Sequence, residues 1–485
     1  MLRSMYAGIS GMKVNQTKLD VTGNNIANVS TTGFKSSRVR FKDMLSQNMG
    51  EAVGPGRNQG GVNGKQVGLG VQVAGIDTVM SQGMMQPTSR NLDVAMDGTG
   101  YFIVAKGALP ESNAGGIAVS ESEHTMSGGA FQVNYTRDGS FTLDHQGNLL
   151  TSDGYRVMGY AINEKDSTGN ATGDVSIDYN ANGAVNFVNA DGEFGLKASN
   201  TLVPLRIPDS VHMKATTKDK QNMIITNGDK ILFDNDGDAT NGIQGFPEIS
   251  LDDTFKGKEN VKVEIKYDTK DKAGKDKGWI IFLNGKKTFL EANASEIDDA
   301  AIDGVDAALL SASEKKDIKE LLNGSKITIT DPDPNTTNID TDDKKAKYKW
   351  SFTLQPECDK KLRSFAIEKD GLVKGVLDDG TVTALGQIAT ASFKNQEGLK
   401  KEGKNLYSNT ANSGVPTVRS GLGTPKNLDN GDGYGEMLQG MLEMSNVDLA
   451  EQFTDMIVTT RAFQASGKMI STGDEILQDI INLKR

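Results

Sequence analysis

From Leu2 onward, apolar positions recur three and four residues apart through Leu2, Met5, Ile9, Met12, Gln16, Leu19, Gly23 and Ile26. Six of these eight are apolar, and the faces between them carry Arg3, Lys13, Asn15, Lys18 and Asp20. The spacing returns at the far end through Leu449, Phe453, Met456, Thr460, Phe463, Gly467, Ile470, Asp474, Leu477 and Ile481, where seven of ten are apolar. Such a stripe predicts a helix that seeks a partner helix. Asn446 or Asp448 is placed to cap the second helix, with Glu451 in its first turn. Taken singly, each pattern fits an ordinary amphipathic helix of a globular core. Found at both ends, it predicts one helical coiled-coil unit, residues 1–30 with 445–485, from which the rest of the chain loops out. Gly23, Gly467, Thr460 and Asp474 interrupt the stripes, so each helix depends on packing for its stability. The ends are expected to stay loose in a single copy and to order when many copies pack.

Between the helices the period drops to two. An extended strap is expected over residues 31–70, Gly-rich in MGEAVGPGRNQGGVNGKQ, before the alternating GLGVQVAGIDTVM at 68–80. DVAMDGTGYFIV and FTLDHQGNLLT read as short strands with turns at Asp97-Gly98 and Gln146-Gly147-Asn148. An inner β domain is assigned to 71–160 with 360–440, and a mainly-β outer insert to 161–355. In that insert VKVEIKY alternates, and GWIIFLNGKKTFL forms two apolar runs around Asn284-Gly285, a hairpin signal. KITIT and YKWSFTL add strands, residues 295–324 read as a helical interlude, and 331–345 as an exposed loop. The fold class is thus mixed: a terminal helical unit plus mainly-β domains.

Composition narrows the partners. The chain has 485 residues with 36 % apolar, 6 % aromatic and 55 glycines, which suits several small turn-rich domains better than one thick core. Its net charge of −11 argues against nucleic acid or an anionic membrane surface. No stretch approaches a membrane span, and MLRSMYAGISGMK lacks the apolar run of a cleavable signal peptide. By these markers alone the chain reads as soluble and intracellular. The single cysteine, Cys358, excludes an internal disulfide framework.

The long terminal blocks resemble a known family. SMYAGISGMKVNQTKLDVTGNNIANVSTTGFKSSRVRF, residues 4–41, and EMSNVDLAEQFTDMIVTTRAFQASGKMISTGDEILQDIINL, residues 443–483, are similar to the two end signatures of the bacterial flagellar axial proteins, the rod and hook family. NLDVAMDGTGYFIV, YTRDGSFTLDHQGNLLTSDGYRVMGY and IATASFKNQEGLKKEGKNLYSNTANSGVP resemble inner blocks of that family. The long insert between Gly159 and Leu354 sides with its hook branch. The resemblance implies a structural subunit that polymerises into a flexible tubular joint and transmits torque. It implies export, unfolded and uncleaved, through the flagellar type III apparatus, which would carry a chain made in the cytoplasm to the hook outside the cell. The implied partners are copies of itself, rod and hook-associated junction proteins, a hook cap and the export apparatus. A distal rod or other axial protein is the alternative, as is a flagellum-displayed adhesin or enzyme with its activity in the insert.

The corner GNNIANVSTTGFKSS now has a role to fill. Asn24, Asn25 and Asn28 bond nearby backbone readily, and Thr32 and Gly33 complete a turn before Phe34 re-engages an apolar surface. Either this is an ordinary helix-ending loop, or it contacts a neighbouring subunit as the resemblance suggests. Catalytic chemistry finds little support. DNDGDATNG fails the calcium-loop register, with Ala239 and Gly245 where glycine and glutamate belong. His124, His145 and His212 are scattered, so no enzyme, metal or cofactor is expected. Cys358, beside Lys360 and Lys361, is either a singleton without a role or a covalent cross-link between subunits.

Overall fold

The computed structural model describes residues 2–57, 60–165, 171–181, 183–192, 195–213, 316 and 358–483, together with the strand segments 216–224, 248–251, 261–268, 278–283, 286–289, 296–297, 327–330 and 348–355. The chain divides into two compact units, Met1–Asp209 with Leu362–Arg485 and Ser210–Lys361. The expected domain boundary at residue 161 falls inside the strand Arg156–Lys165, which the structure keeps whole in the first unit. Its continuous apolar run, Val157 to Ile162, is buried on both faces and leaves no place for a linker.

In the first unit, helix α1 (Leu2–Ala27) and helix α2 (Leu449–Leu483) lie side by side. Asp448 caps α2, its Oδ1 accepting the amides of Ala450 and Glu451 at 2.8 and 3.3 Å. The stretch expected as a strap is instead a two-stranded ribbon. Strand β1 (Ser37–Asp43) pairs antiparallel with β4 (Val71–Thr78), and β2 (Ser46–Gly50) with β3 (Lys65–Gly68). Val39 and Phe41 alternate in register with Val73 and Ile76, so the period-two pattern at 68–80 finds its partner in residues 37–43.

The β body is threaded around Tyr101–Lys106, which pairs with Gln132–Thr136, with Arg156–Val157 and with Thr390–Ala391. Arg156–Lys165 pairs in turn with Leu196–Pro204 and touches Val382–Ile388. Both chain halves therefore build one core. Tyr101 meets Phe393 and Tyr407 edge-on at 5.8 and 5.7 Å, and Tyr135 meets Phe393 at 4.8 Å. The turn at Gln146-Gly147-Asn148 closes a hairpin, Leu143 opposite Leu149, with Gly147 at φ +79°. Asp97-Gly98 bends the chain without making a hairpin, since its flanking strands do not pair together. Val94–Asp97 takes Glu436–Gln439 as its partner instead. Gly98 and Gly100 both adopt positive φ, which swings the two strands into different sheets.

The second unit holds a five-stranded antiparallel sheet in the order Thr216–Ile224, Tyr348–Gln355, Val261–Asp268, Gly278–Leu283, Lys286–Phe289. Leu283 stands opposite Lys286 in that sheet, and the Asn284-Gly285 turn expected between them lies outside the described residues. Glu248–Leu251 and Glu296–Ile297 flank Ile327–Thr330 in a smaller sheet, so the segment expected to be helical from 295 contributes a strand at its start. The remainder of that interlude apart from Lys316, the 331–345 loop and DNDGDATNG lie outside the described residues.

Candidate assembly interface

The helix pair is antiparallel and is built on small residues. Gly473 of α2 lies against Met5, a Cβ on Gly8 would meet Ile470 at 3.1 Å, and one on Gly11 would meet Ser466 Oγ at 3.2 Å. Glycine at these positions brings the backbones closer than leucine would allow. Lys18 and Asp455 form an ion pair at 3.2 Å, and Asn25 Nδ2 donates to Gln452 Oε1 at 3.0 Å. The seam therefore follows Gly8, Gly11, Lys18, Thr22 and Asn25 on α1 against Gln452, Thr459, Ser466, Ile470 and Gly473 on α2.

Of the expected stripe, Met5, Met12 and Ile470 touch the seam glycines, and the rest is only partly covered. Met5, Met12, Leu19 and Ile26 are half-buried, as are Met456, Ile470 and Leu477. Ile9, Leu449, Phe453, Phe463 and Ile481 are exposed, and Leu2 opens α1. A Cβ on Gly467 would meet Met12 Sδ at 3.8 Å, whereas Gly23 faces open space and does not interrupt any contact. Tyr6, Ile457, Val458, Met469, Ile476, Ile480 and Leu483 are further exposed apolar side chains on these helices. Each helix thus presents more apolar surface than its partner covers.

Beyond α1, the asparagine corner is tied into the same chain. Asn25 is buried, its Nδ2 donating to the Ser37 carbonyl at 2.8 Å and its Oδ1 accepting the Ser37 amide at 3.0 Å. Asn28 Nδ2 donates to the Asn24 carbonyl at 2.8 Å and Thr31 Oγ1 to Asn28 Oδ1 at 3.1 Å, so these two asparagines hold the turn at the surface. Thr32 Oγ1 donates to Asp138 Oδ1 at 2.9 Å. Gly33 has φ +64°, and a Cβ there would lie 2.8 Å from the Arg137 carbonyl carbon. Its amide donates to the Glu443 carbonyl at 2.7 Å. Phe34 is buried under Lys401, whose Nζ sits 5.0 Å from the ring centre.

Three charged groups that the sequence reading passed over close this corner. Lys35, Arg137 and Glu443 are all buried. Lys35 Nζ donates to Glu443 Oε1 at 2.6 Å and to the Ser81 carbonyl at 2.8 Å. Arg137 Nη1 reaches Glu443 Oε2 at 3.3 Å, Nη2 donates to the Gly98 carbonyl at 2.8 Å, and the guanidinium lies over the Tyr101 ring. The Gly83 amide also donates to Glu443 Oε1, at 3.0 Å. Burial holds the Lys35 ammonium below its ordinary range, with Glu443 opposing that fall. Asn446, weighed above as a cap, instead accepts the Ser36 amide at 2.7 Å and donates to the Val79 carbonyl at 2.8 Å. Lys35, Glu443 and Asn446 all stand within the quoted terminal blocks. A lone lysine in GFKSS and a lone glutamate in LEMSN gave no sign that they meet.

Two terminal segments at opposite ends of the sequence thus make one folded junction. Both segments are recognised by family models. Residues 5–35 fit the family model of flagella basal body rod proteins, and 438–483 the model of the flagellar basal body rod FlgEFG protein C-terminal region. Residues 125–196 fit that of the flagellar hook protein FlgE/F/G D1 domain. The flagellar hook protein FlgE of Treponema pallidum is 31 % identical over the full length of both chains, and that of Borreliella burgdorferi 32 %. The chain belongs to the flagellar hook protein family. Within the hook and rod lineage, the flagellar basal-body rod protein FlgG of Bacillus subtilis is 29 % identical, again over both full lengths. The crystal structure of Helicobacter pylori flagellar hook protein FlgE2 covers 74 % of this chain and all of its own, at 16 % identity and a TM-score of 0.34, too distant to bear on the details here.

The hook-family chain carries no further concentrated chemistry in its described part. No group of three or more His, Cys, Asp or Glu side chains is placed to hold a metal among the described residues. His212 Nδ1 lies 2.9 Å from Asp359 Oδ1, while His124 sits at φ 54° in a turn. Cys358 is a half-buried free thiol opposite Met213, two residues before Lys360 on the same strand. Among the described residues, no helix is long and apolar enough to cross a membrane.

Proposed function

We propose that the chain is a non-catalytic structural subunit of the flagellar hook that polymerises through its terminal helices, with its β units as the outer surface of the tube. The observation that carries this reading is the surplus of exposed apolar side chains on α1 and α2, beyond the surface that the pair covers. A solitary chain has no use for that surplus, and a neighbouring copy has the same surface to bury. The corner supports the division of labour. Its side chains are engaged within the chain, which fixes the direction in which the helix pair leaves the body and frees the helices to meet neighbours.

This reading includes export in an unfolded state through the flagellar apparatus and a final location outside the cell between rod and junction proteins, where the tube transmits torque. Full-length hook-protein relatives support it. Deletion is the test. Removing residues 1–30 or 450–485 abolishes polymerisation while the body retains its near-ultraviolet circular dichroism. Polymers that persist without both helices overturn it.

A further inference from the structure

The face of α1 opposite the α2 seam looks onto the β ribbon across an open apolar groove of about 570 Å³. Tyr6, Ile9 and Val14 form one wall, and Met44, Leu69 and Val73 the other. Arg3 and Lys13 stand among its lining residues, and no carboxylate does. The ribbon is held to α1 at the floor, where Ser10 Oγ accepts the Val71 amide at 3.3 Å. Despite that contact Tyr6 remains 67 % exposed.

A surface of matching chemistry lies on α2. Met469, Ile476, Ile480 and Leu483 recur on one face at helical spacing and are exposed, Leu483 by 87 %. Glu475 and Asp479 flank them, exposed, and the segment from Met469 to Leu483 contains no lysine or arginine. Fourteen residue steps separate Met469 from Leu483 on α2, and fourteen separate Arg3 from Thr17, the groove's ends on α1. At about 1.5 Å per step each spans about 21 Å. Sign, polarity and length therefore agree. The stripe cannot fill the groove of its own chain, because α2 already occupies the opposite side of α1.

We propose that the groove between α1 and the β ribbon receives the Met469–Leu483 stripe of a second copy. This deepens the polymerisation reading and rests on it. Groove and stripe are different patches of one chain, so the contact is head-to-tail and repeats without closing into a two-fold dimer. It leaves each end of a growing assembly with one free groove or one free stripe.

Cross-linking of full-length protein tests it, with Cys358→Ser removing the native thiol. Copies carrying Val73→Cys and differently tagged copies carrying Ile480→Cys are mixed under assembly conditions with an added disulfide oxidant. A disulfide joining the two tags is expected, together with quenching on assembly of an apolar dye that fluoresces in the monomer's groove. Charge reversal adds a second reading: Lys13→Glu slows assembly at least several-fold, Asp479→Lys in the same chain restores it, and far-ultraviolet circular dichroism stays unchanged. Polymers that form without the mixed disulfide overturn the groove proposal and leave polymerisation standing. Disulfides only between like tags point to a two-fold contact and overturn it as well. So does a groove that takes up dye equally in monomer and polymer, the result for a small-molecule pocket. Wild-type chains that never assemble overturn both readings.

Discussion

Lys35 Nζ and Glu443 Oε1 lie 2.6 Å apart, out of water, and 408 residues apart in the chain. With Arg137 on the other carboxylate oxygen, they join the exit of α1, the approach to α2 and the β body at one buried point. Glu443 is the hub, since its carboxylate faces both cations and accepts the Gly83 amide. A hub of this kind contributes little net stability against an apolar replacement, but it is costly to leave half-made.

Replacing Glu443 with Gln strands two buried cations. We expect a loss of about 3–5 kcal/mol in the unfolding free energy of the first unit, read from the urea midpoint of its tertiary signal. Lys35→Met added to Glu443→Gln costs less than the sum of the two single changes, because the groups share one network. Additive losses in a double-mutant cycle contradict the hub.

Two glycines near the end of α1 predict opposite outcomes. Gly33→Ala places a Cβ against the Arg137 backbone at a positive φ, and is expected to destabilise by about 1–3 kcal/mol. Gly23→Ala enters open space within the helix and stabilises by up to about 1 kcal/mol. Hydrogen exchange of α1 amides measures both. Equal responses at the two sites defeat the assigned geometry.

The small residues of the seam are equally specific. Gly8→Val meets Ile470 and the Ser466 carbonyl, and is expected to push α1 from α2. Helix content then falls and polymers fail to form, while the core around Tyr101 and Phe393 keeps its signal. Full polymerisation by this variant moves the seam elsewhere.

Alkaline pH should unfold the β body through its buried phenols. Burial pushes Tyr101, Tyr179 and Tyr434 up to about 12, and Tyr135, Tyr160 and Tyr407 also upward. The folded state keeps these protons at pH values where the unfolded chain loses them. Stability is therefore fully present below about pH 10 and falls as pH rises towards 12, by on the order of 2–3 kcal/mol for Tyr101 alone. Lys35 acts the other way, since its lowered value makes deprotonation relieve a folded-state cost as pH climbs towards 10.5. Tyrosinate absorbance should rise together with loss of tertiary structure. Ionisation of these phenols in a still-folded body near pH 10 contradicts their burial.

Local rules carried much of the architecture. The three-and-four spacing located both helices, alternation located strands such as Val261–Asp268 and Tyr348–Gln355, and Gly147 marked a real hairpin. These features are written in consecutive residues, where period and turn chemistry act directly. The partner of each strand was less legible. Residues 37–43 looked like part of a strap because their match, Val71–Thr78, comes only after a Gly-rich run. Val94–Asp97 likewise pairs with Glu436–Gln439 across most of the chain.

By itself, then, the amino-acid order determined that two amphipathic helices, Leu2–Ala27 and Leu449–Leu483, flank β-rich material, and the long blocks that hold them resembled the hook family. Only the tertiary structure decided which helix faces meet. Close backbone approach favours Gly8, Gly11 and Gly473 over the bulkier stripe, and that preference has no meaning until a second helix is present. It also decided that Lys35, Arg137 and Glu443 share one buried site. A charge is kept out of water only where its counter-charges are brought to it, and here the fold brings them from three distant stretches of chain.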